Sequence, residues 1–251
     1  MSDYTHNIAA NIHRPDKEST SLAVLLPGML MSKDYTNFTS LADVLKDNNI
    51  TAVRFDPTGT WESEVDIDHY SITQYLADID YVLSYLNSNN EFDQVILIGH
   101  SLGGMVGQIY AGKFDVIDTV ISIFSPGQFG ISEFTKSVMP AWEKEGSLSL
   151  NRKSPFDLNV ELKLELPYEF VEDALDYDGF ESAANSSCKK VFIGSNSDKT
   201  VSLEQVKDFY DKARQPKKLI ELDGVPHIYW KSSEPLDKVN TAILNNINAL
   251  S

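Results

Sequence analysis

Short apolar runs alternate with segments of helical period along this chain, and that alternation restricts its possible folds more than any other feature. Residues 21–27 (SLAVLLP) end at Pro27-Gly28, as expected for a buried strand running into a turn. Tyr35, Phe38, Leu41, Val44 and Leu45 then recur at helical spacing. Residues 51–56 (TAVRFD) form a second strand pattern, followed by a Pro/Gly turn and a helix whose face carries Ile72, Tyr75, Leu76, Ile79, Val82, Leu83 and Leu86. A third strand, 94–99 (QVILIG), leads into a helix that opens at Ser101 and reaches about Phe114; a fourth spans 116–124. The pattern resumes with a strand at 190–195, a helix over 203–213 and a strand at 218–223. A closing helix carries Leu236, Val239, Ile243, Ile247 and Leu250. Strands separated by helices predict an α/β fold: a mostly parallel sheet with helices on both faces.

The alternation breaks between Gly127 and Ser187, where Phe129, Phe134, Trp142, Phe156, Tyr168 and Phe170 stand among charged residues. Structureless loops of that length are rare inside a compact domain. Residues 127–187 are therefore expected to form a small inserted cap on a core made of 1–126 and 188–251. The aromatics either line an apolar pocket or form the cap's own core.

Composition narrows the function. Acidic residues number 37 against 21 basic ones, a net charge of −16. Such a surface repels phosphate backbones and anionic lipid, which argues against nucleic-acid partners. The single cysteine, Cys188, cannot form an internal disulfide; it reads as a small residue beside a strand or, more sharply, as a reactive thiol. Residues 1–20 are polar and lack a signal-peptide core. No apolar run reaches the roughly 18 residues of a membrane span. A cytoplasmic location is the expectation. Five histidines without paired cysteines or an H-E-x-x-H spacing suggest no metal, and no dinucleotide or P-loop glycine pattern implies a cofactor.

The most specific motif is Gly99-His100-Ser101-Leu102-Gly103, a G-x-S-x-G sequence at the junction of a strand and a helix. That context matters more than the motif. A serine on a sharp strand-to-helix turn projects its hydroxyl at the carboxyl edge of the sheet. Small residues two positions away, Gly99 and Gly103, let strand and helix pack closely. The alternative is an ordinary glycine-rich turn.

A serine hydroxyl needs a base. His227, in the turn-rich segment after the last strand, reaches the same sheet edge; His6, His13 and His69 do not, and His100 should point away from the serine. Asp198 follows the strand at 190–195 and precedes His227 by one helix and one strand, which makes it the candidate to orient the imidazole. Asp173, Asp176, Asp178 and Asp223 are alternatives, and Asp198 could instead cap the next helix unless Ser202 does so. Candidate oxyanion donors are the backbone N–H groups of Leu102 and of Met29, in the turn after the first strand.

With these residues placed, the chain resembles the α/β-hydrolase superfamily over roughly residues 21–250, and within it small capped serine esterases such as feruloyl esterases and serine-aminopeptidase-like hydrolases. The length, the insertion and the segment Leu166-Pro167-Tyr168-Glu169-Phe170 carry that narrower resemblance. It implies a Ser101–His227–Asp198 acyl-enzyme mechanism on carboxylic esters with short or aryl acyl groups, and an insertion lining the acyl pocket. The same triad serves thioesterases and acyltransferases, and a non-catalytic small-molecule binder could keep the fold. Three departures stand out. Pro27-Gly28 replaces the usual His-Gly, Trp61 replaces a glycine in the loop after the second strand, and the acid loop carries an extra residue before Asp198. The short N-terminus leaves little room for the strands that often precede this core.

Overall fold

The computed structural model describes residues 7–88, 92–157 and 159–247. Seven strands form one sheet: β1 (Ala10–His13), β2 (Ser21–Leu26), β3 (Thr51–Phe55), β4 (Gln94–His100), β5 (Thr119–Ile123), β8 (Lys189–Ser195) and β9 (Lys217–Leu222), in the order β1-β3-β2-β4-β5-β8-β9. All neighbours pair in parallel except β1 with β3. The intervening helices are α1 (Thr36–Asp47), α2 (Ile72–Asn87), α3 (Leu102–Lys113), α7 (Leu203–Lys212) and α8 (Ser233–Ile247). This is the α/β-hydrolase fold. Leu250, the last residue of the expected closing helix, lies outside the described residues, as does His6.

Strand alternation builds a core on each face of the sheet. In β2, Leu22, Val24 and Leu26 pack with α2 and α3 residues such as Ile79 and Val106. Ala23 and Leu25 pack with Phe38, Leu41 and Ile243 of α1 and α8 on the other side. Strands covered on both faces read as continuous apolar runs, which is why these were legible. Each buried Leu, Ile or Phe contributes about 1.5–3 kcal/mol.

Two regions differ from the sequence pattern. The polar N-terminus supplies β1, an exposed edge strand registered Ala10 to Phe55 and His13 to Ala52. It forms because the free edge of β3 offers unpaired backbone groups, and no apolar alternation announces it. The break in alternation contains α4 (Glu133–Glu145), an antiparallel hairpin of β6 (Ser147–Lys153) and β7 (Glu161–Pro167), then α5 (Glu169–Leu175) and α6 (Gly179–Asn185). Trp142, Phe170 and Phe129 are buried against one another, and the Trp142 indole donates to the Leu166 carbonyl at 3.0 Å. These three aromatics pack together and continue the core on the α2/α3 face of the sheet, where Phe170 stacks on Tyr70 at 5.1 Å. Phe156, by contrast, is 65% exposed. α6 lies against α3 so closely that a Cβ on Gly112 would meet Ser182 at 2.7 Å.

The β4–α3 junction is a backbone-to-backbone crossing. A Cβ on Gly99 would sit 2.3 Å from the Gly103 backbone, and one on Gly103 would sit 2.2 Å from the Leu26 carbonyl oxygen. The strand, the helix and the end of β2 are pressed together with no side chain between them. Gly103→Ala is expected to lower the urea unfolding midpoint, with a loss of about 1–3 kcal/mol from overpacking. An unchanged midpoint would contradict this close approach.

Candidate active site

Ser101 lies between β4 and α3, with φ 53° and ψ −122°. A non-glycine residue rarely adopts positive φ, and here it is held by a hydrogen bond from Ser101 N–H to the Ile123 carbonyl at 2.8 Å and by the packing of Gly99 and Gly103. The chain runs outward in opposite directions from β2 and β4, so Ser101 stands beside the topological switch point, where open α/β sheets bind ligands. It is partly exposed, whereas Leu102 is buried.

Asp198 and His227 come together from two loops 29 residues apart in sequence. His227 Nδ1 lies 2.7 Å from Asp198 Oδ2. The other carboxylate oxygen accepts the backbone N–H groups of Thr200 at 2.7 Å and Val201 at 3.0 Å. Both oxygens of this buried carboxylate are therefore engaged, and its direction is fixed. Ser202 caps α7 through a capping box with Gln205, which leaves Asp198 free to face the imidazole. The alternative acids are occupied elsewhere. Asp173 accepts from Ile72 N–H and Thr73 at the start of α2, Asp178 caps α6, Asp176 ends α5, and Asp223 accepts from Asn196.

Two residues not singled out in the sequence, Ser195 and Asn196, hold these loops together with His100. Buried Ser195, at the end of β8, accepts on its hydroxyl oxygen from Ser197 N–H and Val225 N–H, both at 3.2 Å. Asn196 accepts from Gly224 N–H at 3.1 Å. The acid loop and the histidine loop are thereby tied to each other. His100, expected to point away from the serine, is buried and reaches the histidine loop: its Nε2 lies 3.1 Å from the His227 carbonyl oxygen, and the two rings lie 4.7 Å apart. A ring nitrogen facing a carbonyl must carry the proton, so His100 donates. Burial, followed by proximity to His227, lowers its pKa well below the usual histidine value. Short polar residues at strand ends carry no signal of such roles in a single sequence.

The structure thus joins Asp198 to His227 and packs His227 against the elbow. Among the described residues, Ser101 Oγ makes no hydrogen bond, to His227 or any other group.

Met29 lies in a turn closed by Met31 N–H donating to the Gly28 carbonyl at 3.0 Å, with Leu30 at φ 53°. Gly28 is needed for a close approach, since a Cβ there would meet the Met31 sulfur at 2.9 Å and the His100 carbonyl at 3.2 Å. The N–H of Leu102 opens α3, where no intrahelical acceptor exists and the helix dipole favours negative charge. Trp61, at the position of the missing glycine, keeps a positive φ of 47° and donates its indole N–H to the Leu30 carbonyl at 3.3 Å. The substitution braces the turn instead of disturbing it. Buried Asp56 holds the same region through the N–H of Lys33 at 2.7 Å and of Glu62 at 3.3 Å.

Among the described residues, no group of three or more His, Cys, Asp or Glu side chains is placed to hold a metal ion. No helix among them is long and apolar enough to cross a membrane. Cys188 is buried beside Ser186, and burial raises its thiol pKa.

A parallel sheet with a strained serine elbow after a central strand, and a histidine loop after the last one, has the architecture of an α/β hydrolase. A model of the alpha/beta hydrolase family matches residues 23–242, and the chain belongs to that family. Solved structures with the same fold include Est1E from Butyrivibrio proteoclasticus with ferulic acid bound, at 18% identity and TM-score 0.75 over 96% of each chain. Mouse alpha/beta hydrolase domain-containing protein 10 is similar at 19% identity and TM-score 0.77, covering 99% of this chain and 97% of the other. The monoacylglycerol lipase of Paleococcus ferrophilus is similar at 17% identity and TM-score 0.75, covering 95% and 97%. No curated protein sequence matches the chain significantly.

The burial of His100 has a measurable consequence. Below about pH 6.5 the unfolded chain takes up a proton there that the folded ring refuses, so its pKa in the fold lies below the unfolded value. Stability is therefore expected to fall as the pH drops below that point, by up to about 1.4 kcal/mol per pH unit from this group. In His100→Gln the loss of urea midpoint between pH 7.5 and 5.5 should be smaller than in the wild type. An equal loss would contradict a refused proton at His100.

Proposed function

We propose that the chain is a serine hydrolase that cleaves carboxylic esters through an acyl-enzyme, with Ser101 as nucleophile, His227 as general base and Asp198 orienting the imidazole. The observation that carries this reading is the 2.7 Å Asp198–His227 pair, which occupies Nδ1 and leaves Nε2 for proton transfer beside the strained Ser101 elbow. His227 takes the hydroxyl proton as Ser101 attacks the ester carbonyl. The tetrahedral oxyanion is held by the N–H groups of Met29 and Leu102, where one donor is typically worth about 10²–10³ in rate. The imidazolium then protonates the leaving alcohol, and water deacylates the enzyme by the reverse sequence. Neither metal nor cofactor takes part.

Residues 127–187 act as a cap over a core of 1–126 and 188–251. The partly buried Phe134, Met139 and Leu148 pack on the same apolar cluster as Met29, which supports a pocket for short or aryl acyl groups. Thioesters and acyl transfer would use the same residues; a binding protein that keeps the fold without turnover is the opposite outcome.

Labelling with a fluorophosphonate separates these. The wild type is expected to label and Ser101→Ala is not, and an unlabelled, folded wild type would favour the binder. Asp198→Asn should leave folding intact and lower the hydrolysis rate by about 10⁴; near-normal turnover would move the acid role to another residue. Across p-nitrophenyl esters, short and aryl acyl groups should turn over faster than long chains. A clear preference for long chains would contradict the proposed pocket.

A further inference from the structure

Arg152 is a partly buried guanidinium with no carboxylate partner among the described residues, in a chain with 37 acidic residues; buried Lys190, also without one, is satisfied by the carbonyls of Ser186 and Cys188. The other inward-facing guanidinium, Arg54, is paired with Asp34. Arg152 is partly buried on β6 and directs Nη2 toward the Met29 carbonyl at 3.4 Å, while Nη1 meets only the carbonyl of Asn151 at 3.2 Å. The titratable groups that face it are the hydroxyls of Tyr35 and Tyr70. Tyr35 donates to the Lys153 carbonyl at 2.8 Å, which anchors the strand carrying Arg152. Tyr70 is fully buried and sits against the Leu30 backbone, yet its hydroxyl has no hydrogen-bond partner of ordinary geometry. A guanidinium taken out of water without an anion costs free energy, and a buried hydroxyl without an acceptor adds to that cost. Both unmet groups border the turn of Met29 and Leu30.

We propose that Arg152 and Tyr70 form an anion subsite beside that turn, and that the substrate is an ester carrying a carboxylate a few bonds from the scissile carbonyl. The guanidinium fork suits a carboxylate, and the Tyr70 hydroxyl supplies a further donor. Bond lengths place the Arg152 nitrogen within roughly 7 Å of the Met29 N–H, a span that matches the length of a short dicarboxylic monoester. A strongly acidic surface would repel such a substrate in general, which makes an unpaired guanidinium beside the Met29 turn a device for selection. The subsite rests on the acyl-transfer reading for its placement, but its occupancy is measured independently of turnover.

The experiment is calorimetric titration of Ser101→Ala with the monomethyl esters of succinate, glutarate and adipate, each against a neutral methyl ester of matched chain length. At least one charged ester is expected to bind about tenfold or more tightly than its neutral counterpart, the size of a charge-assisted hydrogen bond. Adding Arg152→Met should abolish that preference, Arg152→Lys should retain part of it, and Tyr70→Phe should weaken the charged ester alone. The Tyr70→Phe and Arg152→Lys arms decide the matter if Arg152→Met does not fold. No charged ester preferred, or a preference that survives Arg152→Met, overturns the subsite. Equal weakening of charged and neutral esters overturns it too, and assigns Arg152 to bracing the Met29 turn. Fluorophosphonate labelling of the wild type is read separately, so failure of the Ser101 reading is distinguishable from failure of the subsite.

Discussion

The backbone contact between β4 and α3 is the constraint on which the rest of the site depends. Gly99 and Gly103 let the strand turn into the helix with no side chain between them, and the end of β2 presses on the same point. That crossing holds Ser101 at positive φ, an arrangement no flexible loop would maintain. The same crossing presses the start of α3 on the end of β2, from which the Met29 turn follows. The strain is local, and the cost is offset by the two apolar cores that clamp the sheet from both faces.

A second layer of hydrogen bonds sets the partners. Ser195 and Asn196 tie the acid loop to the histidine loop, and His100 fastens the histidine loop to the elbow. Asp198 spends one oxygen on the backbone and one on the imidazole, so the ring cannot rotate freely about its own side-chain bonds. Each link is a polar side chain at or just past a strand end. Together they convert loops, which are ordinarily the mobile parts of an α/β fold, into extensions of the rigid sheet. Reactive groups held on rigid elements need less reorganisation when charge develops.

Much of this was legible in the sequence. The buried strands read as continuous apolar runs, the helices as one-sided patterns, and the glycines around Ser101 as a demand for close packing. His227 and Asp198 could be placed because each follows a strand, and parallel strands deliver their following loops to one edge. What stayed hidden has physical reasons. β1 is held by backbone pairing to β3 and carries no apolar alternation. The segment between β5 and β8 is built from α4, an antiparallel hairpin with mostly exposed strands and the two short helices α5 and α6, so the strand–helix alternation of the sheet does not run through it. The aromatics there read equally well as pocket or core, and Trp142, Phe129 and Phe170 turn out to pack together. The roles of His100, Ser195 and Arg152 depend on what lies opposite them across 30 or more residues, which no local pattern encodes.

Trapping of the covalent intermediate tests the central claim most directly. Rapid mixing of the enzyme with p-nitrophenyl acetate, followed by acid quench and peptide mass spectrometry, should show a burst of p-nitrophenol and one acetyl group on the peptide bearing Ser101. Turnover without a burst and without acetyl on that peptide, or acetyl on another residue, would contradict a nucleophilic Ser101.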